Sequence, residues 1–270
     1  MPSAAALRLE IEHALEHRFP AALSPAPRAI REVAATGIAA VDALLQGGLP
    51  VGAISELTGA VSSGRTSLAL QFVARRTAEK QPCAWVDVQD AFDPESAAAN
   101  GVGLQELLWV RCAERERGSE AARERKDEVT RSYPGRPQPS WKRLEQALRA
   151  TDLLLQAGGF SSVVLDLGDT ALEQTNRIPL ATWFRFRQAA ERAQCSLMVL
   201  GRHAYAQSAA AVVLECSAQR AEQRGGTVLC GFMFAVRRGR EWHAPLEITT
   251  RKPVASTWQA NAAWDEEARA

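Results

Sequence analysis

The sequence has almost no net charge: 32 Lys and Arg stand against 31 Asp and Glu, a formal +1 over 270 residues. No global field therefore draws it to nucleic acid or to a membrane surface, and any such contact needs a local patch. Long apolar runs are also missing. None approaches the roughly 18 residues of a membrane span, and Met1-Pro2-Ser3-Ala4-Ala5-Ala6 has neither the basic start nor the apolar core of a signal peptide. The expectation is a soluble, cytoplasmic chain with no membrane partner. Cys83, Cys112, Cys195, Cys216 and Cys230 are odd in number and lack C-x-x-C spacing, so they read as reduced core residues rather than a disulfide framework. His13 and His17 are four apart, but no acid or cysteine stands at ligand spacing, which argues against a metal site there. No serine or cysteine has a base arranged beside it. Glu266-Glu267 lie in a tail, where solvation accounts for them.

What is present is a core: 46% of residues are hydrophobic, enough for one main domain with extensions. Leu7, Ile11 and Leu15 make a short amphipathic helix that needs a surface to pack on, its own core or a partner. Pro20, Pro25 and Pro27 mark a linker, so residues 1–32 read as a helical N-terminal extension and residues 33–255 as the core. Within the core, Val41, Leu44 and Leu45 share a helix face. Strand-like runs follow at Ala53–Leu57, Cys83–Asp87, Leu107–Val110, Ser162–Asp166 and Leu197–Leu200, with helical patterns at Leu68–Ala74, Pro94–Asn100, Leu144–Leu155 and Pro179–Arg192. Alternating strands and helices imply an α/β fold with a twisted, mainly parallel sheet. Ala211–Cys216, Thr227–Val236 and Leu246–Thr250 read as antiparallel strands joined at glycines. Residues 113–140, dense in Arg and Glu and then in Pro and Gly, read as a charged, mobile insertion, and residues 256–270 as a C-terminal tail.

The stretch Gly59-Ala60-Val61-Ser62-Ser63-Gly64-Arg65-Thr66-Ser67 lies between a strand and a helix. That is the setting of a phosphate-binding loop, whose glycines let backbone N–H groups surround phosphate oxygens at a helix N-terminus. The residue after Gly64, where that pattern calls for lysine, is Arg65. Two further stretches carry competing readings. In Trp183-Phe184-Arg185-Phe186-Arg187, aromatic and basic residues interleave as in a base-stacking surface, but core packing with solvated arginines is the favoured reading. Arg237, Arg238 and Arg240, with Arg251 and Lys252 nearby, form the better candidate patch for a DNA backbone, against the alternative of a solvated turn.

Thr36-Gly37 through Ala53, Glu56-Leu57-Thr58-Gly59 through Gly64, and Trp85-Val86-Asp87-Val88-Gln89-Asp90-Ala91-Phe92-Asp93-Pro94 together resemble the core of the RecA recombinases. The resemblance implies a RecA-like P-loop fold. It implies ATP and Mg as the cofactors to consider, neither of them required, with nucleotide contacts from Gly59, Ser62, Ser63, Gly64, Arg65, Thr66, Ser67 and Asp93. Thr66 matches the hydroxyl that holds magnesium, Asp166 the acid behind it, and Asp93 the acid near the adenine amino group. Several matched positions depart from the family. Arg65 replaces the phosphate-contacting lysine, and the two are not interchangeable in a tight loop. Gln89 replaces the glutamate that activates water and cannot act as a general base. Arg202 falls where a glutamine senses the outer phosphate, and Ser96 where a tyrosine covers adenine. The two DNA-binding loops shrink to about Glu173–Arg177 and His203–Ala210.

A short RecA-like chain with these departures resembles the ImuA family of damage-induced mutagenesis cassettes. That resemblance implies a non-catalytic adaptor in translesion synthesis, with an inactive Y-family polymerase homologue and an error-prone replicative-type polymerase as partners. RecA and single-stranded DNA are further candidate partners, and the N-terminal helix a candidate oligomerisation contact. The alternatives are an ATP-dependent recombination or repair protein acting on single-stranded DNA, and a division inhibitor related to SulA.

Overall fold

The computed structural model describes residues 32–112, 141–224, 228–241 and 255–261. The N-terminal helix, the charged insertion and the expected strand at Leu246–Thr250 lie outside the described residues.

Eight strands form the main sheet: β3 (Ile54–Thr58), β4 (Cys83–Asp87), β5 (Leu107–Arg111), β6 (Ser162–Asp166), β7 (Ser196–Gly201), β8 (Ala210–Arg224), β9 (Val228–Glu241) and β10 (Ala255–Asn261). Their order is β10-β9-β8-β3-β7-β6-β4-β5. From β8 to β5 every pairing is parallel, whereas β8–β9 and β9–β10 are antiparallel. A small antiparallel pair, β1 (Val33–Ala34) with β2 (Leu49–Pro50), precedes the main sheet.

β3, β4, β6 and β7 are buried at every position, as parallel strands covered on both faces require. Their side chains alternate between two cores. Trp85, Val164 and Met198 join α1 (Ala39–Leu45) and α2 (Arg65–Ala78) on one face, through Leu44, Leu68, Phe72 and Val73. Val86, Val163, Leu165 and Val199 join α4 (Trp141–Ala157) and α6 (Leu180–Ala193) on the other, through Leu144, Leu155, Trp183 and Phe186. Trp183 and Phe186 are fully buried and pack edge to face at 6.0 Å. They are core residues, and Arg185 pairs with Asp152 on α4. Cys83, Cys112, Cys195 and Cys216 are buried and free. Burial pushes the Cys195 and Cys216 thiols up to about 12, which keeps them unreactive.

The antiparallel flank is longer than its apolar residues suggest. β8 and β9 run for 15 and 14 residues, with three irregularities in their register, and such bulges increase local twist. β10 pairs with β9 along Ala255–Asn261, so the sheet continues beyond the expected end of the core at residue 255 and takes in part of the tail. Its anchor is Trp258, buried against Phe234 of β9 with ring centroids 5.4 Å apart.

Candidate functional site

The parallel strands end side by side at one edge of the sheet, where α/β folds place their ligands. Asp87 closes β4 and Asp166 closes β6, and the two are register partners. Two apolar runs that each finish on an acid therefore bring two carboxylates together. Asp87, fully buried, accepts hydrogen bonds from the backbone N–H groups of Gln89 (3.1 Å), Ala91 and Phe92 (both 2.7 Å), and so shapes the loop after β4. Asp166 accepts one from the Gly168 N–H at 2.9 Å. Burial first and the neighbouring Asp87 charge second push its carboxyl up to about 6, against the opposing pull of Gly168 and Arg65.

The glycine-bracketed loop between β3 and α2 runs directly into the helix. Gly64 caps α2 with φ 88°, the left-handed region. A Cβ there would meet the ring of Phe234 at 2.6 Å, so glycine is required both by the backbone and by the aromatic lid beneath the loop. Ser63 is buried, and its hydroxyl has no hydrogen-bond partner among the described residues. Thr66 is exposed at the mouth.

Arg65 does not face outward. Only 8% exposed, its guanidinium donates to the carbonyl oxygens of Gly59 and of Ala60 (3.1 Å) and pairs with Asp169 Oδ1 at 3.0 Å. The planar fork of arginine suits this three-way arrangement, which a lysine ammonium on a shorter reach matches poorly. The loop thus holds a cation of its own chain between its carbonyls. Arg202 approaches the same carboxylate, with its Nε 4.0 Å from Asp169 Oδ1.

The other expected contacts are also taken up locally. Gln89 packs over Gly168, where a Cβ would fall 2.6 Å from the glutamine side chain. Asp93 caps α3 (Pro94–Ala99): its carboxylate accepts from the Glu95 and Ser96 N–H groups and from the Ser96 hydroxyl at 2.5 Å. The Ser96 hydroxyl, the largest influence, together with the two N–H bonds outweighs desolvation and holds the Asp93 carboxyl below its ordinary value of 3.8. The cap is present above the ordinary carboxylate range and lost as pH falls through the lowered value. Asp93→Ala is expected to cost roughly 1 kcal/mol, read as a lower urea midpoint at neutral pH.

The segments matching the DNA-binding loops are ordered turns. The first is α5 (Leu172–Thr175). The second is tied down by two residues that sequence reasoning missed. The buried Glu56 of β3 accepts from the Tyr205 and Ala206 N–H groups at 2.6 and 2.9 Å, and the Tyr205 hydroxyl accepts from the Arg202 N–H at 3.2 Å. Of the candidate basic patch, Arg237 pairs with Glu215, its cross-strand neighbour, at 3.1 Å through Nε. Arg238 is half-buried, and the Arg240 side chain lies outside the described ones.

The loop, Trp85, Asp87, Gln89, Phe92, Asp166 and Asp169 line one pocket of about 190 Å³, below the roughly 300–1,000 Å³ usual for small-molecule sites. The unpartnered Ser63 hydroxyl and the start of α2 fit the phosphate tail of ATP. Asp93 and Ser96 are not among the residues that line this pocket. Among the described residues, no cluster of three or more His, Cys, Asp or Glu has metal-site geometry; the expected pair for Mg beside a bound phosphate tail, Thr66 and Asp166, both line this pocket.

The family model of the RecA N-terminal domain matches residues 9–132. This stretch of the chain is RecA-like. Protein RecA of Ruegeria pomeroyi is 36% identical over 136 residues, 50% of this chain and 31% of that protein. Protein RecA of Allorhizobium ampelinum is 35% identical over 136 residues, 50% of this chain and 30% of that protein. The match thus spans about a third of the length of these relatives. The crystal structure of the RadB recombinase superposes with a TM-score of 0.53 at 16% identity, covering 84% of this chain and 94% of that one, a likeness of fold. Of the departures, Arg65, Gln89 and Ser96 fall inside the matched stretch and Arg202 falls outside it. No helix among the described residues is long and apolar enough to cross a membrane.

Proposed function

We propose that this chain is a non-catalytic RecA-like adaptor of the ImuA type, acting in lesion bypass after DNA damage. Its partners on this reading are an inactive Y-family polymerase homologue and an error-prone replicative-type polymerase. The RecA-like stretch and the recombinase-like sheet support a role in DNA repair or recombination. The observation that carries the non-catalytic part is Arg65. The one cation of the phosphate-binding loop is bound to the loop's own carbonyls and to Asp169. Gln89, standing where a general base is needed, is neutral and packed on Gly168. Losing a general base typically costs 10²–10⁴-fold in rate, and a misdirected loop cation removes charge stabilisation at the transferring phosphoryl group as well.

Phosphate release from ATP is the direct test, with and without single-stranded DNA, on the wild type and on Thr66→Ala. The expected result is the same background rate in both. DNA-stimulated release that falls in Thr66→Ala would overturn the reading in favour of a recombinase-like ATPase. The partner half is tested by co-purification with the two polymerase-type proteins, and failure to retain either one rejects it.

A further inference from the structure

We propose that Asp169 is an internal gate on the phosphate-binding loop, occupying the arginines that would otherwise receive a polyphosphate tail. Asp169 follows β6 by three residues and places its carboxylate 3.0 Å from Arg65 and 4.0 Å from Arg202. Those two arginines come from different elements, Arg65 at the start of α2, where it lines the pocket, and Arg202 just after β7. Arg65 opens a 14-residue helix, and the positive start of that helix and the buried Ser63, whose hydroxyl has no partner among the described residues, also line the pocket. This is a receptor for a multiply charged anion, with a carboxylate of the chain standing at its mouth. An incoming phosphate tail meets that negative charge first. It gains the two guanidinium groups only if Asp169 gives them up and Arg65 turns from the Gly59 and Ala60 carbonyls, so its affinity is lowered by the strength of the internal pairs, the Asp169 pairs among them.

The proposal deepens the adaptor reading by giving the same loop a ligand class, polyphosphate bound without turnover. The test is calorimetric titration of wild type, Asp169→Asn and Asp169→Glu with inorganic tripolyphosphate and, separately, with ATP, each with magnesium. Asp169→Asn removes the charge while keeping the shape, and is expected to bind about tenfold tighter or more, within the range usual for coupled sites. Asp169→Glu keeps the charge and is expected to stay within about threefold of wild type. Tightening of tripolyphosphate alone identifies the tail as what is recognised, and tightening of ATP alone identifies a nucleotide. Either outcome supports the gate.

A folded Asp169→Asn that binds neither ligand more tightly overturns it. Should that variant fail to melt cooperatively, Asp169→Ser is titrated in its place with the same two outcomes. In the Asp169→Asn background, Arg202→Gln is expected to reverse several-fold of the gain, a response that general loosening of the loop does not produce. Hydrolysis of ATP by Asp169→Asn would reject the non-catalytic reading and leave the gate standing, whereas absence of tightening rejects the gate and leaves the adaptor.

Discussion

Arg65→Ala is expected to lower the unfolding free energy by roughly 2–4 kcal/mol, although it removes the residue that in a working phosphate-binding loop would serve the ligand and not the fold. The guanidinium is buried and makes charge-assisted bonds to two carbonyl oxygens and to a carboxylate. Truncation leaves the Gly59 and Ala60 carbonyls facing the space that the side chain occupied. It also leaves Asp169 without its main partner in the loop. Asp169 is about one-third exposed, so water recovers part of the loss, which places the expectation below the full cost of breaking a buried pair. Arg65→Lys restores a charge but not the fork, and is expected to recover only part of the stability. Urea unfolding followed by tryptophan fluorescence measures both. A loss under about 0.5 kcal/mol for Arg65→Ala, the size of an ordinary surface change, would show that the arginine is an ornament of the loop and not its fastening.

Asp166→Asn should act in the opposite direction and stabilise the protein by roughly 2–3 kcal/mol at pH 7.5 in metal-free buffer. The wild-type carboxyl is pushed up to about 6 from 3.8. A carboxyl with a raised folded value favours the folded state when protonated, so the wild type loses stability as pH rises through about 6. The amide is never charged, so it escapes both the desolvation and the repulsion from Asp87 while its oxygen still accepts from Gly168. The advantage of the variant should therefore shrink as pH falls through 6 and vanish below the ordinary carboxylate value. Melting temperatures of both proteins between pH 4 and 8 test this. Parallel curves across that range would rule the explanation out.

The sheet was legible because its signal is local. Each parallel strand is a short apolar run, and β4 and β6 end on acids that parallel register sets side by side. The N-terminal boundary of α2 followed from the glycine loop for the same reason. The length of β8 and β9 was not legible: from Ser217 to Gln223 the strand is largely exposed and polar, so no alternation marks it. β10 was read as tail because only Trp258 in it is large and apolar.

At the site, residue types were legible and directions were not. The sequence marks Arg65 as an exception but cannot say that it turns back on its own loop, since its partner Asp169 lies 104 residues away. For Asp93 the structure adds a role that was not read from the sequence, that of a helix cap. The signal for that was available, as Asp-Pro-Glu-Ser is a strong helix start. Glu56 and Tyr205 were missed because a buried acid in a strand and a lone tyrosine carry no motif.

The ring of Phe234 lying against Gly64 sets an order of events during synthesis. The loop leaves the ribosome early, while the strand that supplies its floor comes far later, and β10, whose Trp258 braces that ring, later still. Such distant pairings form slowly. A nascent chain halted after β8 carries every residue of the phosphate-binding loop and none of the floor beneath it, so the first motif to be made is among the last to be finished.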